Sequence, residues 1–327
     1  MQTVKIGSRG SDLALWQAHH VRDLIEKRGH ATELTIIKTT GDRIDDVPFS
    51  KMTGKGFFTK ELEDAQLDGR VDLAVHSMKD MTTEEPPGLA LGAMIGREDA
   101  RDLLLAQKGV ISHEASRILP LRPGTSLGTS SARRQALARF HLPNVRLVEL
   151  RGNVPTRIQK LRDGHYDAII LACAGVARLG LDVSEFDTVA LDPSHFVPAP
   201  AQGMLALQCR DEAWLRALLA GLHTHEAARS VAAERWLLAR LEGGCSLPFG
   251  CHIRPVELGR LTDAASAPVD PKERVTFVLD LFLEVAPQPP LTLHLEGAEP
   301  HELAEEAWAV VEPYRLSGAG RAQAGLS

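Results

Sequence analysis

The sequence predicts an α/β protein of two lobes with mostly parallel, doubly wound sheets, followed by a small α+β domain. Three observations carry this prediction. Short apolar runs with strand character alternate with amphipathic helical segments through the first half of the chain. That alternation occurs as two successive blocks, which reads as two similar lobes. Beyond Cys251 the order changes to strand, strand and helix.

In the first block Val4 to Ile6 reads as a strand. Ser11 or Asp12 then caps a helix with Leu13, Trp16, Val21, Leu24 and Ile25 on one face, and Gly29 closes it. Leu34 to Lys38 is a second strand, Thr59 to Leu67 a helix, Val71 to His76 a strand and Leu89 to Met94 another. In the second block a strand ends at Ser126 to Gly128, and Ser131 to Phe140 is a helix. Leu147 to Leu150 is a strand. Pro155 starts a helix that runs to Asp163, and Ala168 to Ala172 is a strand.

The proline-rich stretch from Pro193 to Pro200 reads as a crossing between lobes, and Leu205 to Gln208 as a strand after it. Thr224 caps a long helix ending near Glu242, which Gly243 and Gly244 stop. In the last domain Val275 to Phe282 and Leu291 to Leu295 are strands. Pro300 to Tyr314 is a helix with Leu303, Ala307, Trp308 and Val311 inward. The tail, 317–327, is rich in glycine and alanine and reads as disordered.

The chain has 327 residues, 44% hydrophobic and 24% charged, enough to bury a core without disulfides or metal. Its net charge of -6 and its two tyrosines speak against a nucleic-acid binder. No apolar run approaches a membrane span. The four cysteines, Cys173, Cys209, Cys245 and Cys251, lack metal-site spacing, so no metal is expected. A reduced, cytoplasmic protein is the expectation.

One chemical feature recurs. Four strand ends run into short polar segments carrying arginine or lysine: Gly7 to Ser11, with Arg9; His76 to Asp80, with Lys79; Gly128 to Arg134; and Arg151 to Arg157. Ligands of open α/β sheets bind beyond the carboxyl ends of the strands, where helix N-termini offer N–H groups and partial positive charge. Arginines there match carboxylates bidentately, so the expected ligand is polyanionic. Any one such arginine could equally be a surface charge; four clusters at one topological position are harder to dismiss.

Lys51 to Gly56 is basic and glycine-rich but lacks phosphate-loop spacing; it reads as a lid over a cleft or, more commonly for such a pattern, a surface turn. Asp80 can stabilise a developing cation or shuttle a proton, although capping is the commoner role for a turn aspartate. Cys245 follows two glycines in a loop context, whereas Cys173 and Cys209 lie in apolar runs. By spacing alone Cys245 could be one more buried thiol.

Several stretches together resemble the hydroxymethylbilane synthase (porphobilinogen deaminase) family. They are Leu13 to Ala18, Val75 to Asp80, Gly128 to Ser131 with Arg133 and Arg134, Leu150 to Asn153, and Leu241 to Cys245. The resemblance covers about residues 3 to 252, in the family's order and spacing, and fades in the last domain. It implies two lobes like those of type II periplasmic binding proteins, with the site between them. It also implies domain 1 at 1–99 and 200–220, domain 2 at 100–199 and domain 3 at 221–327.

Cys245 would hold a dipyrromethane cofactor by a thioether bond. Four porphobilinogen units would add head to tail with loss of ammonia, and hydrolysis would release the linear tetrapyrrole of heme and porphyrin biosynthesis. Asp80 would be catalytic. Cofactor binding would involve Lys79, Asp80, Thr129, Ser131, Arg133, Arg134, Arg151 and Gly152. Substrate binding would involve Arg9, Ser11, Arg151, Arg157, Arg178 and Gln202, with Lys51 and Lys55 in the lid. The protein would be a monomer without membrane or nucleic-acid partners. The sequence departs from the family pattern at Thr82, where proline is usual, at Ala201, where glycine is common, and at Pro155, a variable position. The alternative is a two-lobed carboxylate-binding module without chemistry, which would need neither Cys245 nor a third domain.

Overall fold

A computed structural model describes residues 3–39, 59–114, 116–241, 247–257 and 275–324. The first sheet contains β1 (Val4–Ser8), β2 (Thr32–Ile36), β3 (Leu73–Ser77), β4 (Leu89–Ile95) and β10 (Leu205–Arg210), in the order β2-β1-β3-β10-β4. The second contains β5 (Asp102–Ala106), β6 (Ser126–Gly128), β7 (Arg146–Val148), β8 (Ala168–Ala172) and β9 (Asp187–Ala190), in the order β7-β6-β8-β5-β9. The two orders are equivalent. Each begins with three parallel strands and places one reversed strand in fourth position, β10 or β5, antiparallel to both neighbours.

Both reversed strands are the first strands after a crossing between sheets. β5 leaves the crossing at residues 96–101, and β10 leaves the one at residues 191–204. The lobes are therefore mixed but mostly parallel, and each is entered from the other. The crossings touch: Glu98 N donates to Gly203 O at 3.0 Å.

The helices cover the sheets as amphipathic spacing requires. α1 (Asp12–Glu26) buries Ala18, Val21 and Ile25 against Val4, Ile6 and Leu73, with α6 (Ala213–Ala220) adding Leu215 and Leu219. α2 (Lys60–Leu67) buries Leu62 and Ala65. In the second lobe α3 (Ala132–His141), α4 (Val154–Arg162) and α5 (Cys173–Leu179) cover both faces of the sheet.

The remaining unit pairs the antiparallel strands β11 (Phe249–Glu257), β12 (Val275–Leu283) and β13 (Leu291–Gly297) with α7 (His225–Arg240) and α8 (Pro300–Ala324). Period-two alternation sorts β12: Phe277, Leu279, Leu281 and Leu283 pack with Leu237, Leu303 and Val311, while Phe282 joins the core of the second lobe. α7 reaches the first lobe through Ala228 and Val231, which pack with Met78, Met81 and Met204.

Several elements depart from the sequence reading. β5, β9, β11, α5 and α6 were not anticipated. β5 and α5 are short runs, and α5 follows β8 with no break, so one apolar stretch carries both a strand and a helix. α8 continues to Ala324, through most of the stretch expected to be disordered. Gly318 and Gly320 each cost a helix only about 1 kcal/mol relative to alanine, and good helix formers surround them.

Candidate active site

The four polar segments follow β1, β3, β6 and β7, at the carboxyl ends of parallel strands. Three of them open helices, and their small polar residues serve as caps. Ser11 Oγ accepts from Ala14 N at 3.4 Å, Ser131 Oγ from Arg134 N at 3.4 Å, and Asn153 Oδ1 from Thr156 N at 2.9 Å. After β3 the chain makes a short 3₁₀ turn, Met78–Asp80, instead of a helix. Gly152 has a φ of 109°, and a Cβ there would lie 2.7 Å from Thr156 Cγ2, so this position needs glycine.

The site's centre is a buried polar network that joins the lobes. Lys79 Nζ donates to Gln202 Oε1 at 3.2 Å, and Gln202 Nε2 donates to Asp102 Oδ1 at 3.0 Å and to Ala100 O at 2.7 Å. Arg133 donates to Asp102 Oδ2 at 2.7 Å and to Val197 O at 2.7 Å. Arg134 donates to Asp102 Oδ1 through Nε and Nη2, at 3.1 and 2.7 Å, and to Ile170 O. Burial would push the Asp102 carboxyl up, but the two guanidiniums override it and hold it well below the usual carboxylate range.

Burial lowers Lys79 to about 8; Asp80 and Asp102 oppose that shift, and Arg134 and Arg133 add to it. Burial likewise lowers Arg157 to about 10, reinforced by Arg134 and opposed by Asp80. Asp80 itself is exposed. Among the described residues Lys79, Arg133, Arg134 and Arg157 thus share one field with two carboxylates, Asp80 and Asp102. An anionic ligand would relieve that imbalance, so a polycarboxylate pyrrole chain fits this donor set.

The other predicted residues are placed as follows. Arg157 Nε donates to Gly152 O at 2.7 Å, and Arg151 Nε pairs with Glu149 at 2.9 Å. Burial lowers the pKa of His76 to about 4, and nearby Arg9 adds to that shift. Thr129 is buried, and its Oγ1 accepts from Ser131 N at 3.3 Å. Arg178 is only 9% exposed; its Nη2 donates to Gly203 O at 2.6 Å and Gly96 O at 3.3 Å, and its guanidinium lies 5.8 Å from the Trp16 ring. Arg178 therefore bridges the lobes at the crossings. Lys51, Lys55 and Cys245 lie outside the described residues.

Four residues went unrecognised in the sequence: Asp102, Arg97, Glu234 and Arg235. Glu234, on α7, accepts from Arg97 Nη2 at 2.8 and 3.0 Å, from Ala201 N at 2.7 Å and from Ile253 N at 2.7 Å. The next residue, Arg235, donates to Thr82 O at 2.8 Å, just beyond Asp80. α7 therefore grips both crossings and the Asp80 turn, and it ends shortly before Cys245. The only sequence signal for Asp102 was an acid at the start of an apolar run.

A two-lobed α/β enzyme with a cationic, carboxylate-bearing site between its lobes is the class this fold and site define. The family described as porphobilinogen deaminase, dipyromethane cofactor binding domain, matches residues 4–215. The chain belongs to the porphobilinogen deaminase family, which are transferases that use porphobilinogen as substrate. It is 47% identical over 255 residues to porphobilinogen deaminase of Nitratidesulfovibrio vulgaris (strain Miyazaki F), covering 77% of this chain and 78% of that one. It is 47% identical over 253 residues to that of Trichlorobacter lovleyi, covering 76% and 78%. Among solved structures, the methionine binding protein MetQ aligns with a TM-score of 0.42 at 12% identity, covering 71% of this chain and 94% of that chain. The non-catalytic carboxylate-binding alternative is not favoured. Among the described residues no helix is long and apolar enough to cross a membrane, and no cluster of His, Cys, Asp or Glu is placed to hold a metal ion.

Proposed function

We propose that this chain joins four porphobilinogen units head to tail, with loss of ammonia, on a dipyrromethane bound through Cys245, and then releases the linear tetrapyrrole by hydrolysis. The observation that carries this reading is the excess, among the described residues, of buried and half-buried cations around the exposed carboxylate of Asp80. When bound, the dipyrromethane supplies the nucleophilic pyrrole carbon to which the first unit is joined.

Asp80 faces the cation left when ammonia departs and takes up pyrrole N–H groups and protons. A preorganised carboxylate there lowers the barrier because its charge is in place before the cation develops. Lys79, Arg133, Arg134, Arg151 and Arg157, with Thr129, Ser131 and Gly152, hold the acetate and propionate side chains. Arg9, Ser11, Arg178 and Gln202 complete the substrate side, and Lys51 and Lys55 close over it. The three described cysteines support Cys245 as the anchor. Burial first of all pushes Cys173 up to about 12, Cys209 to about 11 and Cys251 well up, so each is held as an unreactive thiol.

Three domains organise this chemistry: 1–99 with 200–220, 100–199, and 221–327. The return of β10 and α6 to the first sheet supports that division. The protein works as a cytoplasmic monomer without nucleic-acid or membrane partners, in keeping with its net charge of -6. Intact-mass measurement tests the proposal. Chain purified from a host that makes porphobilinogen should carry the extra mass of two linked pyrroles, and Cys245→Ser should carry none. An unmodified native chain overturns the reading.

A further inference from the structure

We propose that Asp102 and Gln202 are positioning residues that fix Lys79, Arg133 and Arg134 as one cationic wall across the lobe boundary. The inference deepens the function proposed above and rests on it for the identity of the ligand. Its geometry stands independently.

The four elements involved come from distant parts of the chain. Lys79 sits in the turn after β3 of the first lobe, and Arg133 and Arg134 in the first turn of α3 in the second. Asp102 opens β5 at the end of the first crossing, and Gln202 lies in the second crossing. Asp102 is fully buried and Gln202 is 1% exposed, and their polar atoms bond to Lys79, Ala100, Arg133 and Arg134. One carboxylate takes Arg133 on one oxygen and Arg134 together with Gln202 on the other. Gln202 then turns its own oxygen to Lys79. An amide suits this position because its nitrogen donates to the carboxylate while its oxygen accepts from the ammonium.

A largely buried ionic network is not an efficient source of stability, since desolvation offsets most of its attraction. Its consequence here is register. The cations of the two lobes hold their separation only when both crossings are seated against Asp102. A ligand with carboxylates at fixed spacing depends on such preorganisation, and displacement of about 1 Å can cost 10²-fold in rate.

The test reads Lys79 directly. The charged groups acting on it are Asp80 and Asp102, which favour its ammonium, and Arg134 and Arg133, which oppose it. Site-resolved amine acylation of Lys79 is followed against pH in full-length chain from a host unable to make porphobilinogen, so that no ligand covers the amine. In Asp102→Asn, and in Gln202→Met, the midpoint of acylation should move to lower pH. The rate at pH 7 should rise roughly fivefold, as for an amine that passes from one-tenth to half neutral. If the network merely packs, its loss wets Lys79 and the midpoint moves up towards that of an ordinary lysine. A midpoint that stays in place or moves up in both variants overturns the proposal. Gln202→Met leaves the arginine pairs intact and carries the test alone if Asp102→Asn does not fold. A wild-type chain without pyrrole mass would sink the function proposed above and leave this readout standing.

Discussion

Glu234 holds Arg97 with both carboxylate oxygens, at 2.8 and 3.0 Å, and no part of its side chain is exposed. The same carboxylate accepts backbone N–H groups from Ala201, in the second crossing, and Ile253, on β11. One side chain thus ties the cysteine-bearing domain to both crossings. Burial raises the Glu234 pKa, with Arg97 and the two backbone donors opposing, so the fold accepts a costly charge at this joint.

Glu234→Ala leaves Arg97 buried without its partner and orphans two backbone donors. Breaking such a pair costs about 3–5 kcal/mol. Urea unfolding should show a loss of that size. A midpoint within experimental scatter of wild type would mean that the contact does not join the domains.

Asp80→Asn keeps the shape of the side chain and removes its charge. Electrostatic groups of this type contribute about 10²–10³ in rate. Turnover should fall by that factor while the intact mass still shows bound cofactor. Near-normal turnover would remove Asp80 from the mechanism.

Gly203 has a φ of 90°, and a Cβ there would collide with Glu98 O, where the crossings touch. Its carbonyl also accepts from Arg178 and from Glu98 N. Gly203→Ala should therefore destabilise by more than about 2 kcal/mol, adding backbone strain to the displacement of the first crossing at Glu98. Thermal unfolding checks it, and an unchanged Tm would contradict the close approach.

His76 stays neutral in the fold down to about pH 4, mainly because it is buried, whereas an unfolded histidine protonates near 6.5. Between those values the unfolded chain binds more protons, so stability falls as pH drops from 6.5 to 4 and this contribution ends below 4. The group accounts for at most about 3 kcal/mol. His76→Asn should lose less stability than wild type between pH 7 and pH 4.5 in urea titrations. Equal losses in the two proteins would show that His76 does not drive the acid response.

Much of the fold was legible because periodicity marks strands and helices that bury one face. Trp16, Val21 and Ile25 announced α1, and Pro155 announced the start of α4. What escaped was reversal. Nothing in the residues of β5 reports that Asp102 to Ala106 runs antiparallel to Ala168 to Ala172, since parallel and antiparallel burial call for the same apolar side chains. The cation clusters were legible for a similar reason, since sequence shows charge at strand ends. Their compensation was not. Asp102 meets Arg133 and Arg134 across 31 and 32 positions, and Glu234 meets Arg97 across 137. Long-range pairing of this kind leaves no local pattern.

The most direct measurement is a crystal structure of the cofactor-loaded chain. The pyrroles should run from Cys245 Sγ into the space between Asp80 and the guanidiniums of Arg134 and Arg157, with their carboxylates on those cations. A thioether-bound chain directed away from Asp80, or a Cys245 without any pyrrole attached, would contradict the account.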